Sequence, residues 1–118
     1  MLVVDDQAPF RMAVKAVLRR LACFELAAEA SDGPEAIRLV DELHPELVLM
    51  DINMPGMNGI EAARQIVAAH PEVVVFLCST YDAADLPRDA TESGARAYVN
   101  KEQFGAATLQ KLWDEHSA

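Results

Sequence analysis

Leu47-Val48-Leu49-Met50-Asp51-Ile52-Asn53-Met54-Pro55-Gly56-Met57-Asn58-Gly59 is the stretch whose reading decides the fold. Apolar residues run without a break into an aspartate, and a loop punctuated by Pro55, Gly56 and Gly59 follows before helical periodicity resumes at Ile60. Such a run suits a parallel strand covered by helices, because neither of its faces meets water. Asp51 then stands where the strand leaves the core. Ligands of open α/β folds bind outside the carboxyl ends of the strands, so an acid at this point is placed for chemistry.

Working outward, the same grammar repeats. Met1-Leu2-Val3-Val4 is a short apolar run ending in Asp5-Asp6, short enough to expect native residues ahead of Met1. From Pro9, a residue suited to a first helical turn, Phe10, Ala13, Val14, Val17, Leu18 and Leu21 form a helical stripe with Arg11, Lys15, Arg19 and Arg20 on the other side. Glu25 to Ala30 reads as a weak second strand. Ser31-Asp32-Gly33-Pro34 turns the chain and can cap a helix that buries Ala36, Ile37, Val40 and Leu43. After the opening stretch, Ile60, Ala63, Ile66 and Val67 mark the third helix. His-Pro-Glu occurs at 44–46 and again at 70–72, each time between a helix and a strand. The repeat is architectural: proline stops a helix, and a histidine in its last turn complements the carbonyl end of the dipole. Val73 to Cys78 is a fourth strand ending in Ser79-Thr80, and Ala83 to Ser93 a fourth helix that Pro87 shortens or kinks. Ala97 to Asn100 is a fifth strand ending at Lys101, and Phe104 to Glu115 a last helix with Leu109 and Leu112 inward and Trp113 as a cover.

Strands alternate with helices five times, which predicts a doubly wound, five-stranded parallel sheet with helices on both faces. The chain has 118 residues, enough for one domain over 1–118 with a single buried core. Nineteen acids against ten bases leave a formal charge of −9, with the bases scattered, so the segment repels a phosphate backbone and direct nucleic-acid binding is excluded. Cys23 and Cys78 have no paired spacing and read as buried reduced thiols. No apolar run approaches the ~18 residues of a membrane span, and the N-terminus lacks a signal pattern, so a cytoplasmic protein is expected.

The strand ends carry Asp5 and Asp6, Asp51, Ser79 or Thr80, and Lys101. Carboxylates converging there repel by about 4 kcal/mol per pair at ~4 Å and an effective dielectric near ~20. A hard divalent ion held by oxygen relieves this, and few carboxylates with retained waters suit Mg²⁺ better than calcium or zinc. A lysine and a hydroxyl beside such an ion grip a tetrahedral anion, and a carboxylate can act as nucleophile, so Asp51 is the candidate acceptor in a phosphoryl transfer.

Asp5-Asp6, Asp51 with Met54-Pro55-Gly56-Met57-Asn58-Gly59, Ser79, Tyr98 and Lys101 together resemble the receiver domain of two-component response regulators over nearly the whole chain. The resemblance implies the flavodoxin-like strand order 2-1-3-4-5, an order known for receivers. It implies that Asp51 accepts phosphate from a phosphohistidine on a sensor histidine kinase, and that Asp6, Asp51 and the main-chain carbonyl of Asn53 bind Mg²⁺ while Asp5 helps through water. It also implies that Ser79 and Tyr98 rearrange on phosphorylation and alter the face of the fourth helix, fifth strand and last helix. On this reading the chain is not an enzyme toward outside substrates; it assists phosphorylation and dephosphorylation of its own Asp51. The start Asp6-Gln7-Ala8-Pro9-Phe10-Arg11 loosely resembles receivers paired with LuxR-type helix-turn-helix domains, an analogy that would put a DNA-binding output domain after this segment.

Two alternatives use related parts. A Mg²⁺-dependent phosphatase with an aspartyl-phosphate intermediate would carry a second acid two residues after the nucleophile, where this chain has Asn53. A receiver that homodimerises or binds partners without phosphate is the other, motivated by the bulk of Thr80 beside the site and by Pro87 in the signalling helix. A flavin module is disfavoured, since Asp5-Asp6 would repel its phosphate.

Overall fold

In the computed structural model, described here for residues 1–54, 56–80, 90 and 92–116, the chain forms β1 (Leu2–Val4), α1 (Ala8–Leu18), β2 (Ala28–Ala30), α2 (Gly33–Leu43), β3 (Leu47–Asp51), α3 (Gly59–Ala69), β4 (Val74–Ser79), β5 (Ala97–Asn100) and α4 (Ala106–His116). All strand pairs are parallel, in the order β2-β1-β3-β4-β5. Strand order reverses at β1, so β1 and β3 lie side by side with their helices leaving on opposite faces. A crevice opens at that point outside the carboxyl ends.

The two faces of the sheet explain the unbroken apolar run. Val48 and Met50 of β3 join Leu2, Val4, Val75 and Leu77 under Ala36 and Val40 of α2 and Ile60, Ala63 and Ile66 of α3. Leu47 and Leu49 alternate to the other face, with Val3, Val74 and Phe76 under Val14 and Leu18 of α1 and Leu109 of α4. Every residue of β3 is buried. A polar residue anywhere between Leu47 and Met50 would enter one core or the other.

Local signals set the helix ends. Asp32 accepts from the amide of Glu35, whose carboxylate accepts in turn from the amide of Ser31, a reciprocal cap at α2. Asn58 caps α3 by accepting from the amide of Glu61. His44 ends α2 in the left-handed region (φ 48°, ψ 55°), and its ring meets that of His70 edge-on, with centroids 5.6 Å apart. The two His-Pro-Glu corners therefore pack together at the end of the sheet opposite the crevice. His70 Nε2 lies 2.6 Å from Asp41.

Several sequence expectations are corrected. The second strand spans only Ala28–Ala30; the chain from Glu25 to Ala27 runs irregularly beside it. Leu43, the last residue of α2, is 46% exposed, and Ala13 faces solvent on α1. Cys78 is buried, and burial pushes its thiol up to about 12, whereas Cys23 is exposed and its Sγ donates to Gln110. Trp113 does cover a surface: its ring meets Phe24 edge-on at 6.0 Å. Pro55, Pro87 and most of the fourth helix expected over Ala83–Ser93 lie outside the described residues. No described helix is long and apolar enough to cross a membrane.

Gly59 is a close-approach glycine. Its amide donates to the carbonyl of Ile52 at 2.9 Å, and a Cβ built at position 59 would overlap the carbonyl oxygen of Asp51. The start of α3 is thereby pressed against the strand end that presents the acid. Gly59→Ala is expected to lose about 1–3 kcal/mol in urea denaturation, despite alanine's better helix propensity, because backbone has to move to admit the methyl group.

Candidate functional site

Register delivers the site residues to one rim. Val4 pairs with Met50, so the residues that follow, Asp5 and Asp51, leave adjacent strands together. Asp51 pairs with Cys78, and Ser79 pairs with Asn100, one residue before Lys101. Asp5, Asp6 and Asp51 each place a carboxylate oxygen within 4.8 Å of the others. Asp5 is fully buried, Asp51 is 3% exposed, and Asp6 is exposed at the mouth.

Lys101 reaches into this cluster from the far side of the sheet. Its Nζ lies 2.6 Å from Asp5 Oδ2 and 3.2 Å from Asp51 Oδ1. The ammonium also sits over the ring of Phe10, 4.8 Å from the centroid, and Phe104 braces that ring edge-on at 5.7 Å. Phe10 was legible in the sequence only as core, since an aromatic on a helical stripe gives no sign that its face will meet a cation. Arg11, read as an outward charge, donates through Nη1 to the main-chain carbonyl of Asp5 and through Nε to Glu29.

Asp51 is pushed up to about 6, first by burial and then by the charge of Asp5, against the pull of Lys101 and of the Asn53 amide that donates to its carboxylate. It is therefore mostly ionised near neutral pH, as a nucleophile needs to be. Burial opposes the charge on Lys101, but its contact with Asp5 and the charges of Asp51 and Asp5 outweigh that and hold it above the usual lysine range.

Among the described residues, one ammonium faces three carboxylates and does not balance them. Asp5 Oδ2 is sealed from solvent and, despite its ion pair with Lys101, makes no hydrogen bond of good direction with the described residues. A donor set of carboxylate oxygens alone, without His or Cys, fits a hard divalent cation, and the exposure of Asp6 leaves room for retained waters.

Ser79 is buried at the last position of β4, and Thr80 beside it is exposed. Tyr98 on β5 is half-buried against the apolar cluster under α2 and α3, and its hydroxyl donates to the carbonyl of Ala90 at 2.8 Å. The side chain is thereby anchored on a main-chain acceptor.

The family model for the response regulator receiver domain matches residues 1–113. The chain belongs to this family. It is 36% identical to the transcriptional regulatory protein DegU of Brevibacillus brevis over 110 residues, covering 93% of this chain but 47% of that protein. It is 38% identical to the chemotaxis protein CheY of Thermotoga maritima over 100 residues, covering 85% of this chain and 82% of that one. Among solved structures it resembles a LuxR-family two-component response regulator from Aurantimonas (31% identity, TM-score 0.87, 97% of this chain and 81% of that one). It also resembles the CheX–CheY–BeF₃–Mg²⁺ complex from Borrelia burgdorferi (26% identity, TM-score 0.85, 97% and 86%). The receiver spans about half the length of DegU. Receiver domains are phosphoacceptor switches of signal transduction that bind Mg²⁺ at an acidic pocket.

The raised pKa of Asp51 has a stability consequence. A carboxyl that holds its proton more tightly when folded costs stability once ionised, a cost complete above about pH 6 and fading as pH falls toward the ordinary carboxylate range. In EDTA, Asp51→Asn is expected to be more stable than the native receiver at pH 7.5, by up to roughly 3 kcal/mol. Urea denaturation should show that advantage shrinking at pH 5.

Proposed function

We propose that this receiver accepts a phosphoryl group on Asp51 from a phosphohistidine of a sensor histidine kinase, and that the resulting charge switches its output face. The observation that carries this reading is the burial of Asp51 between a lysine and two further acids at the switch point of the sheet. An Asp51 carboxylate oxygen attacks phosphorus in line, the phosphorus–nitrogen bond breaks, and the electron pair leaves on the imidazole. Lys101 releases its hold on Asp5 and Asp51 to neutralise a phosphoryl oxygen, and Ser79 supplies a hydroxyl to another. Phe10 keeps the ammonium at the mouth while it exchanges partners.

Asp6, Asp51 and the main-chain carbonyl of Asn53 would hold Mg²⁺, with Asp5 acting through water. The ion, when bound, neutralises charge on the transferring group and screens the acids from it. The likeness to a CheY solved with BeF₃ and Mg²⁺ supports this assignment. Asn53 stands where a phosphatase would need an acid, so the domain handles its own Asp51 rather than turning over outside monoesters.

The switch follows from the same groups. Movement of Ser79 toward the phosphoryl group and of Tyr98 off the Ala90 carbonyl would reshape the face around Ala90, β5 and α4. Driving such an equilibrium from 1:99 to 99:1 takes about 5.5 kcal/mol, within reach of a few charge-assisted bonds. Likeness to DegU and to LuxR-family regulators supports a DNA-binding output domain as the recipient.

With Mg²⁺ and acetyl phosphate, intact mass is expected to rise by one phosphoryl group, with no such adduct in Asp51→Asn. Lys101→Ala should slow its appearance about 10²-fold. Failure of the folded native protein to form an adduct with any donor would favour a phosphate-independent partner-binding receiver, and catalytic release of phosphate from simple monoesters would favour a phosphatase.

A further inference from the structure

The acid pair at the end of β1 is held from its backbone as well as from its side chains. The amide of Asp5 donates to the carbonyl of Ala30 at 3.0 Å, and its Oδ1 accepts from the amide of Gln7 at 2.8 Å. Its carbonyl, which belongs to the peptide plane shared with Asp6, accepts from Arg11 Nη1. The same guanidinium spans to β2, where Nε lies 3.1 Å from Glu29 Oε1, while Lys15, one turn along α1, lies 2.6 Å from Glu29 Oε2. Glu29 is thus the anchor, on the edge strand, of a strut that ends on the Asp5–Asp6 peptide. Asp6 is exposed, and the orientation of this peptide governs where its carboxylate points.

We propose that Arg11 is a positioning residue for the divalent-cation site, fixing the Asp5–Asp6 peptide so that Asp6 is aimed at Asp51 before any ion arrives. The inference rests on the cation site argued above. A bare cation this close to an acidic cluster would repel a metal ion, but Glu29, which Arg11 shares with Lys15, offsets part of that charge, and the planar fork is what allows one side chain to hold a carbonyl and a carboxylate together. The two roles predict opposite signs. Removing a repeller tightens metal binding; removing a strut loosens it.

The test is Mg²⁺ titration by calorimetry on the purified protein well below its melting temperature, with melting in EDTA recorded for each variant. Arg11→Ala is expected to bind Mg²⁺ about 10-fold more weakly, the lower end of the effect of removing an outer-shell partner, and Arg11→Lys to recover part of that loss. Should Arg11→Ala not fold, Glu29→Gln frees the fork and is expected to weaken binding more than Glu25→Gln, which removes an exposed acid that takes no part in the strut. Equal or tighter binding by Arg11→Ala overturns the proposal, as does equal weakening by Glu29→Gln and Glu25→Gln. Absence of Mg²⁺ binding by the native protein overturns the cation site itself, and the role of Arg11 with it.

Discussion

Asp5 and Asp51 are driven together by main-chain pairing, not by attraction between their side chains. β1 and β3 are neighbours in register, and an acid follows the first and ends the second, so the hydrogen-bonded ladder brings like charges to adjacent positions at a buried carboxyl rim. The ammonium of Lys101, 2.6 Å from one and 3.2 Å from the other, is what makes that arrangement tolerable. The rest of the molecule serves this contact. Two apolar layers hold the strands rigid, Gly59 lets α3 close on the strand end, and Phe10 with Phe104 keeps the lysine from relaxing into solvent.

Among the described residues the compensation is incomplete. Among the described residues, Lys101 pairs with Asp5 and Asp51 but not with Asp6, and Asp5 Oδ2 lacks a well-directed hydrogen bond; Asp51 holds its proton more tightly than an ordinary aspartate. A site fully satisfied without a ligand would have little to gain from binding one. On the function proposed above, a divalent ion and then a phosphoryl group would draw on that uncompensated charge, each adding what the other groups lack. Interactions of this kind can bias a two-state packing only because the surrounding core is dense enough to resist continuous deformation.

Much of this was legible in the order of the residues. The run Leu47 to Met50 required cover on both faces, and the observed alternation of Val48 and Met50 to one core with Leu47 and Leu49 to the other is how that requirement is met. Asp32 and Asn58 announced helix starts that the structure caps through their side chains. Less legible were elements whose limits depend on neighbours. The sequence from Glu25 to Ala27 has the composition of a strand, yet among the described residues its main chain bonds only to Met1, and the in-register ladder begins at Ala28, opposite Leu2. Leu43 fits the helical stripe, but as the last residue of α2 it meets water.

The one-dimensional pattern determined the alternation of strands and helices, the parallel sheet and the presence of acids, hydroxyl and lysine at strand ends, because periodicity and strand-end position are local properties. Which partners each side chain finds was decided in three dimensions. Phe10 beneath a cation, Arg11 on the Asp5 carbonyl, Tyr98 on Ala90 and the meeting of the two histidine corners join residues from elements far apart in the chain. Such contacts depend on register and on the close approach of packed elements, and neither is written in the spacing of residues along a single strand or helix.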